Sequence, residues 1–153
     1  MDRKKLDTIE LMKIDNELNK VQTIKISQQY YVEIKPRISE STLNVVFEKF
    51  AKWLSNKEVQ KLLENQKPMS YLLCFVVKEN TDIFGDREYD DITLYNLFHA
   101  LIENHIVDEI MNYVDKKDLI VVFDRMNNIM KTSKQIDKVI NQIIKDKEKK
   151  KKW

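Results

Sequence analysis

One glycine in 153 residues sharply limits the folds open to this chain. Tight turns draw on glycine for positive φ, so a sandwich or barrel with many hairpins has too few turn residues here, and two prolines add little. Helix interiors need neither residue. The chain is 42% hydrophobic and 34% charged, too apolar for a disordered polymer and rich enough in charge to solvate one face of several helices. The expected fold is therefore mainly α with a small N-terminal β-hairpin, an α+β chain built as a helical bundle with a long C-terminal helix. Its length suits one domain over residues 1–144, with the hairpin at about 21–35 and helices at about 40–144, followed by a basic tail at 145–153.

The hairpin rests on two-residue alternation. Ile24, Ile26, Gln28, Tyr30, Val32 and Ile34 fall on one parity, and Lys25, Ser27, Gln29, Tyr31 and Glu33 on the other. The turn is expected near Ser27-Gln28-Gln29. The preceding Thr8-Ile9-Glu10-Leu11-Met12-Lys13-Ile14 fits either a third strand or a short helix. After Pro36, Ser39 or Ser41 can cap a helix carrying Leu43, Val46, Phe47, Phe50 and Leu54. Ser55-Asn56-Lys57-Glu58 has the capping-box spacing and predicts a short helix burying Val59, Leu62 and Leu63. The apolar run from Met69 to Val77 has neither clean period and is read as a fully buried helix in preference to a strand. A polar, acidic loop follows from Glu79 to Asp91, where Asp91 is expected to cap a helix presenting Leu94, Leu97, Phe98, Leu101 and Ile102. Asn104 and His105 interrupt that helix, and a further one carries Ile106, Val107, Ile110, Met111 and Val114.

The most regular pattern comes last. From an Asp115 cap, Leu119, Val122, Met126, Ile129, Ser133, Ile136, Ile140 and Ile143 follow steps of three and four, the seam of a coiled coil or bundle helix. Extended to Lys147, such a helix runs about 48 Å at ~1.5 Å per residue, longer than a domain of this size is wide. Part of it is expected to meet a partner, with Thr132 and Ser133 as the place for a kink. The interaction helix is thus assigned to Leu119, Val122, Met126, Ile129, Ile136, Ile140 and Ile143.

Chemistry that needs specific residues finds little support. His99 and His105 stand four residues ahead of Glu103 and Glu109, which gives surface pairs on a helix and no zinc spacing, so no metal is expected. The 79–91 loop lacks the alternating acids of a calcium loop and has Phe84 among them. Cys74 lies in the apolar run Tyr71-Leu72-Leu73-Cys74-Phe75-Val76-Val77, where burial suppresses the thiolate, and as the lone cysteine it forms no intramolecular disulfide, consistent with a reducing compartment. Phosphate-cradling and dinucleotide loops need more glycines than the chain has. No cofactor is expected, nor an enzyme.

Net charge is +2, but residues 145–153 carry six lysines against Asp146 and Glu148, which leaves the other 144 residues at −2. A nucleic-acid-binding domain spreads basic surface over its body, so only the tail, Lys149, Lys150, Lys151, Lys152 and Trp153, offers phosphate neutralisation and stacking on a base, or contact with an acidic protein surface. No segment has the length of a signal-peptide core or a membrane span. A cytoplasmic location is expected.

Two passages, Tyr31-Val32-Glu33-Ile34-Lys35-Pro36-Arg37-Ile38-Ser39 and Asn104-His105-Ile106-Val107-Asp108-Glu109-Ile110, together with the order of hairpin and capped helices, resemble small morphogenesis proteins of tailed phages infecting low-GC Gram-positive bacteria. The resemblance covers residues 20 to 130, and the heptad helix with its lysine tail departs from it. It implies a non-enzymatic virion component or assembly factor in the host cytoplasm or the virion, with other virion proteins or further copies of itself as partners. No functional residue carries over, because the matching residues are core and cap positions. Two other readings remain beside it: a nucleic-acid-associated accessory protein using the lysine tail, and an inhibitor or adaptor of a host enzyme using the acidic 82–91 loop as a nucleic-acid mimic.

Overall fold

The computed structural model describes residues 3–151, and the side chains of its last helix as far as Thr132 and again at Gln142, Ile143, Lys145 and Asp146. Seven helices and one hairpin are present among the described residues: α1 (Thr8–Leu18), β1 (Gln22–Lys25), β2 (Tyr31–Ile34), α2 (Glu40–Leu54), α3 (Lys57–Leu62), α4 (Pro68–Asn80), α5 (Asp91–Glu103), α6 (Ile106–Met111) and α7 (Lys116–Lys151). The fold is mainly helical with an N-terminal two-stranded antiparallel hairpin. Two compact units are distinguished, Met1–Asp118 and Leu119–Trp153.

In the first unit, the ambiguous segment before the hairpin is a helix. Asp7 starts α1, its carboxylate accepting the Glu10 backbone N–H at 2.9 Å. The hairpin pairs Ile24 with Val32 and Gln22 with Ile34, so Ile24, Val32 and Ile34 turn inward together as period-two alternation requires. Tyr30 shares their parity but lies at the turn and is exposed. A loop residue then continues the sheet: Asp82 donates its N–H to Glu33 O at 3.2 Å and accepts the Glu33 N–H on its carboxylate at 3.1 Å. Asn80, buried, donates to Lys35 O and Arg37 O at 3.1 and 3.2 Å, joining the end of α4 to the hairpin exit.

The core of this unit is an aromatic cluster. α2 is capped by Ser39, whose hydroxyl accepts the Thr42 N–H, and buries Leu43, Val46, Phe50 and Trp53; Phe47 and Leu54 sit half-buried beside that stripe. Trp53 packs edge-on to Phe75 at 5.4 Å and Phe98 at 5.7 Å, and Phe75 meets Phe98 at 4.8 Å, the edge-to-face geometry favoured by ring quadrupoles. The indole N–H is satisfied by Asp91 O at 3.0 Å. The run read as a buried helix is α4, with Pro68 in its first turn and Tyr71, Leu72, Cys74, Phe75, Val76 and Val77 buried.

Several local expectations shift by one or two residues. Ser55 ends α2, its hydroxyl donating to Lys52 O, so no capping box forms; Asn56 caps α3 by accepting the N–H groups of Glu58 and Val59. Of the residues expected to be buried there, Val59 is, Leu63 is partly, and Leu62 is exposed, because a six-residue helix turns only one narrow side inward. Asp90, not Asp91, caps α5, accepting from the Thr93 N–H at 2.8 Å and its hydroxyl at 2.9 Å. Asp91 instead receives the Asn56 amide at 3.0 Å. The loop between α4 and α5 is not a purely solvated connector, since Phe84 is buried against Phe98 and Tyr89. The single glycine, Gly85, is spent here at φ 57°, and among the described residues the other left-handed positions fall on Asn65 and His105. His105 at φ 58° makes the expected break between α5 and α6.

Candidate interaction surface

The sequence assigns its interaction helix to the α7 stripe. The helix starts from the expected Asp115 cap, whose carboxylate accepts the Asp118 N–H at 3.1 Å. Asp118 in turn accepts from the Arg37 guanidinium and from the Ile38 N–H, both at 2.8 Å, while Asp115 donates its N–H to Pro36 O at 2.8 Å. The Asp118 carboxylate, as hydrogen-bond acceptor and then as neighbouring charge, raises Arg37 above its ordinary pKa, so the guanidinium stays charged. The first turn of α7 and the hairpin exit are thus held by one carboxylate.

Over 36 residues α7 is about 54 Å long at ~1.5 Å per residue. Thr132 makes the expected competing bond, its hydroxyl donating to Asn128 O at 2.9 Å, and the helix runs on through it. The stripe changes character along its length. Val122 is 0% exposed and Met126 5%, with Leu119 partly covered. Ile129 and Ile143, on the same heptad row as Val122, stand at 46% and 50%. Ile136, Ile140 and the tail side chains Lys149, Lys150, Lys151, Lys152 and Trp153 lie outside the described residues. Beside Ile129 one face of the helix carries Val121, Asp124, Arg125, Asn128, Ile129 and Thr132. Apolar stems alternating with charges make such a face suitable for another helix.

A second uncovered apolar surface was not anticipated. α1 has no buried residue, and Ile9 and Met12 expose 64% and 67% of their surface, with Leu11 and Ile14 also exposed. The signal was in the sequence, as five apolar residues within eleven, but their ambiguous period hid the helix.

The other candidate chemistry is accounted for by local contacts. His99 pairs with Glu103 at 3.8 Å and stacks on Tyr95, as the four-residue spacing predicts. His105 faces Asp108 at 3.7 Å, not Glu109, because its left-handed backbone places it ahead of α6 and not within it. Among the described residues no three His, Cys, Asp or Glu side chains converge as a metal site. Burial pushes the Cys74 thiol up to about 12, and its Sγ lies 3.8 Å from Phe98 O. No helix of the described residues is long and apolar enough to cross a membrane.

The chain matches no family model, no curated protein and no solved structure.

Proposed function

We propose that this chain is a non-enzymatic protein-binding component that docks through the outer part of the α7 stripe, and, in keeping with the resemblance of its hairpin and capped helices, that it is a structural or assembly protein of a phage virion. One observation carries the reading: the heptad row that is closed at Val122 continues uncovered at Ile129 and Ile143. Leaving a regular apolar row half in water forfeits roughly 25 cal/mol for each Å² not buried, a gain that a partner helix recovers.

The test is affinity capture of the tagged full chain from its native cells, with and without nuclease, against Ile129→Lys and Ile143→Lys. Both positions are already half exposed, so the variants keep the wild-type circular dichroism and melting curve. Virion proteins are expected to be retained through nuclease treatment and lost in the variants. Partners that persist unchanged in both variants overturn the assignment to α7, and partners that vanish with nuclease move the activity to the lysine tail.

A further inference from the structure

Two apolar helix faces of this chain lack cover, and they carry opposite charge. From its Asp7 cap to Leu18, α1 holds four acidic residues against Lys13 alone; Arg3, Lys4 and Lys5 precede the cap and stand outside the helix. Between the exposed Ile129 and Ile143, the α7 sequence holds Lys131, Lys134 and Lys138 against Asp137. Two α7 helices laid together along that stretch place like charges side by side, whereas α1 against α7 places opposite ones. The dimensions agree as well. α1 is about 17 Å long, and the rise from Ile129 to Ile143 is about 21 Å at ~1.5 Å per residue.

We propose that α1 of one copy docks on the outer stripe of α7 in a second copy, and that the exchange is reciprocal. This rests on the reading of α7 as a docking surface and names its occupant. α1 has no buried residue, and a second copy offers it an apolar row of opposite charge. A twofold arrangement makes the contact twice, each copy contributing one α1 face and one α7 face. At roughly 400 Å² per face this reaches the ~800 Å² per partner typical of a stable specific dimer.

The test uses full-length chains. One population carries Met12→Cys and the other Thr132→Cys, both at exposed positions, while the buried Cys74 stays silent toward a bis-maleimide linker. Mixing the two is expected to give a crosslinked heterodimer, and sedimentation of the wild type a dimer mass. Asp15→Lys with Glu17→Lys is expected to raise the dimer dissociation constant about tenfold at low salt, and adding Lys131→Glu with Lys145→Glu to restore it. A wild type that stays monomeric at its highest soluble concentration overturns the exchange, as does crosslinking confined to the Thr132→Cys chains. A monomer that still captures virion proteins through Ile129 leaves the docking function of α7 standing without the exchange.

Discussion

α1 and α4 are helices of eleven and thirteen residues, each rich in leucine, isoleucine, valine or methionine and each started by a recognisable first-turn device, yet α1 buries nothing and α4 buries seven residues. Local signals specify both equally well: an aspartate accepting a third-residue N–H in one, a proline pre-set for helical φ in the other. What separates them is neighbours. α4 is packed by α2 and α5 and is apolar around its circumference, while α1 interleaves Glu10, Lys13, Asp15 and Glu17 with its apolar side chains. A capped helix of three turns is marginal in water without tertiary contacts, so the persistence of α1 depends on what it meets.

The largest expected effect that sharpens this contrast is truncation of one apolar side chain in each helix. Phe75→Ala, at the meeting of Phe50, Trp53 and Phe98, is expected to cost about 3–5 kcal/mol in urea unfolding. Ile9→Ala in dilute protein is expected to cost less than about 0.5 kcal/mol. A comparable loss at Ile9 would break the comparison by showing that α1 is already covered.

Next in size is Asp118→Ala, which removes the acceptor shared by the Arg37 guanidinium and the half-buried Ile38 N–H. It is expected to lower the urea midpoint by the equivalent of about 1–3 kcal/mol, with an unchanged slope. Cap removal comes after that and should divide the helices again. Ser39→Ala at the start of α2 is expected to cost about 1 kcal/mol of global stability. Asp7→Ala at the start of α1 is expected to reduce the 222 nm helix signal while leaving the unfolding midpoint in place. The smallest effect is a pH dependence. The Thr93 backbone N–H and then its hydroxyl hold the Asp90 carboxyl below its usual range. That contribution is complete above the unfolded carboxylate value of ~3.9 and disappears as pH falls through the lower native value. Asp90→Ala should therefore flatten the acid limb of the stability curve measured by thermal melting, and an unchanged limb would assign it to other carboxylates.

Much of the fold could be read from residue order. Alternation placed Ile24, Val32 and Ile34 on one side of a hairpin, and spacing placed Leu43, Val46 and Phe50 on one side of a helix, because those periods are properties of the backbone. The misplaced caps, Ser55 for Asn56 and Asp91 for Asp90, arose where two adjacent residues share the same capping chemistry and tertiary partners decide between them. The burial of Phe84 has no sequence signal because a single aromatic in an acidic stretch has no period, and that of Trp53 is masked because Leu54 beside it completes a similar stripe. For the candidate surface, the seven-residue row itself was legible. The change from closed at Val122 to open at Ile129 was not, since accessibility is set by residues distant in sequence.

The uninterrupted backbone of α7 beyond Thr132 has an evolutionary consequence. Inserting seven residues there would lengthen the helix by ~10 Å and keep the heptad row on the same side, whereas inserting four would swing the row by about 40°. The length of α7 is therefore a quantity that selection can adjust in heptad steps without redesigning the aromatic core, while the row turns about the helix axis only through insertions that break the step of seven.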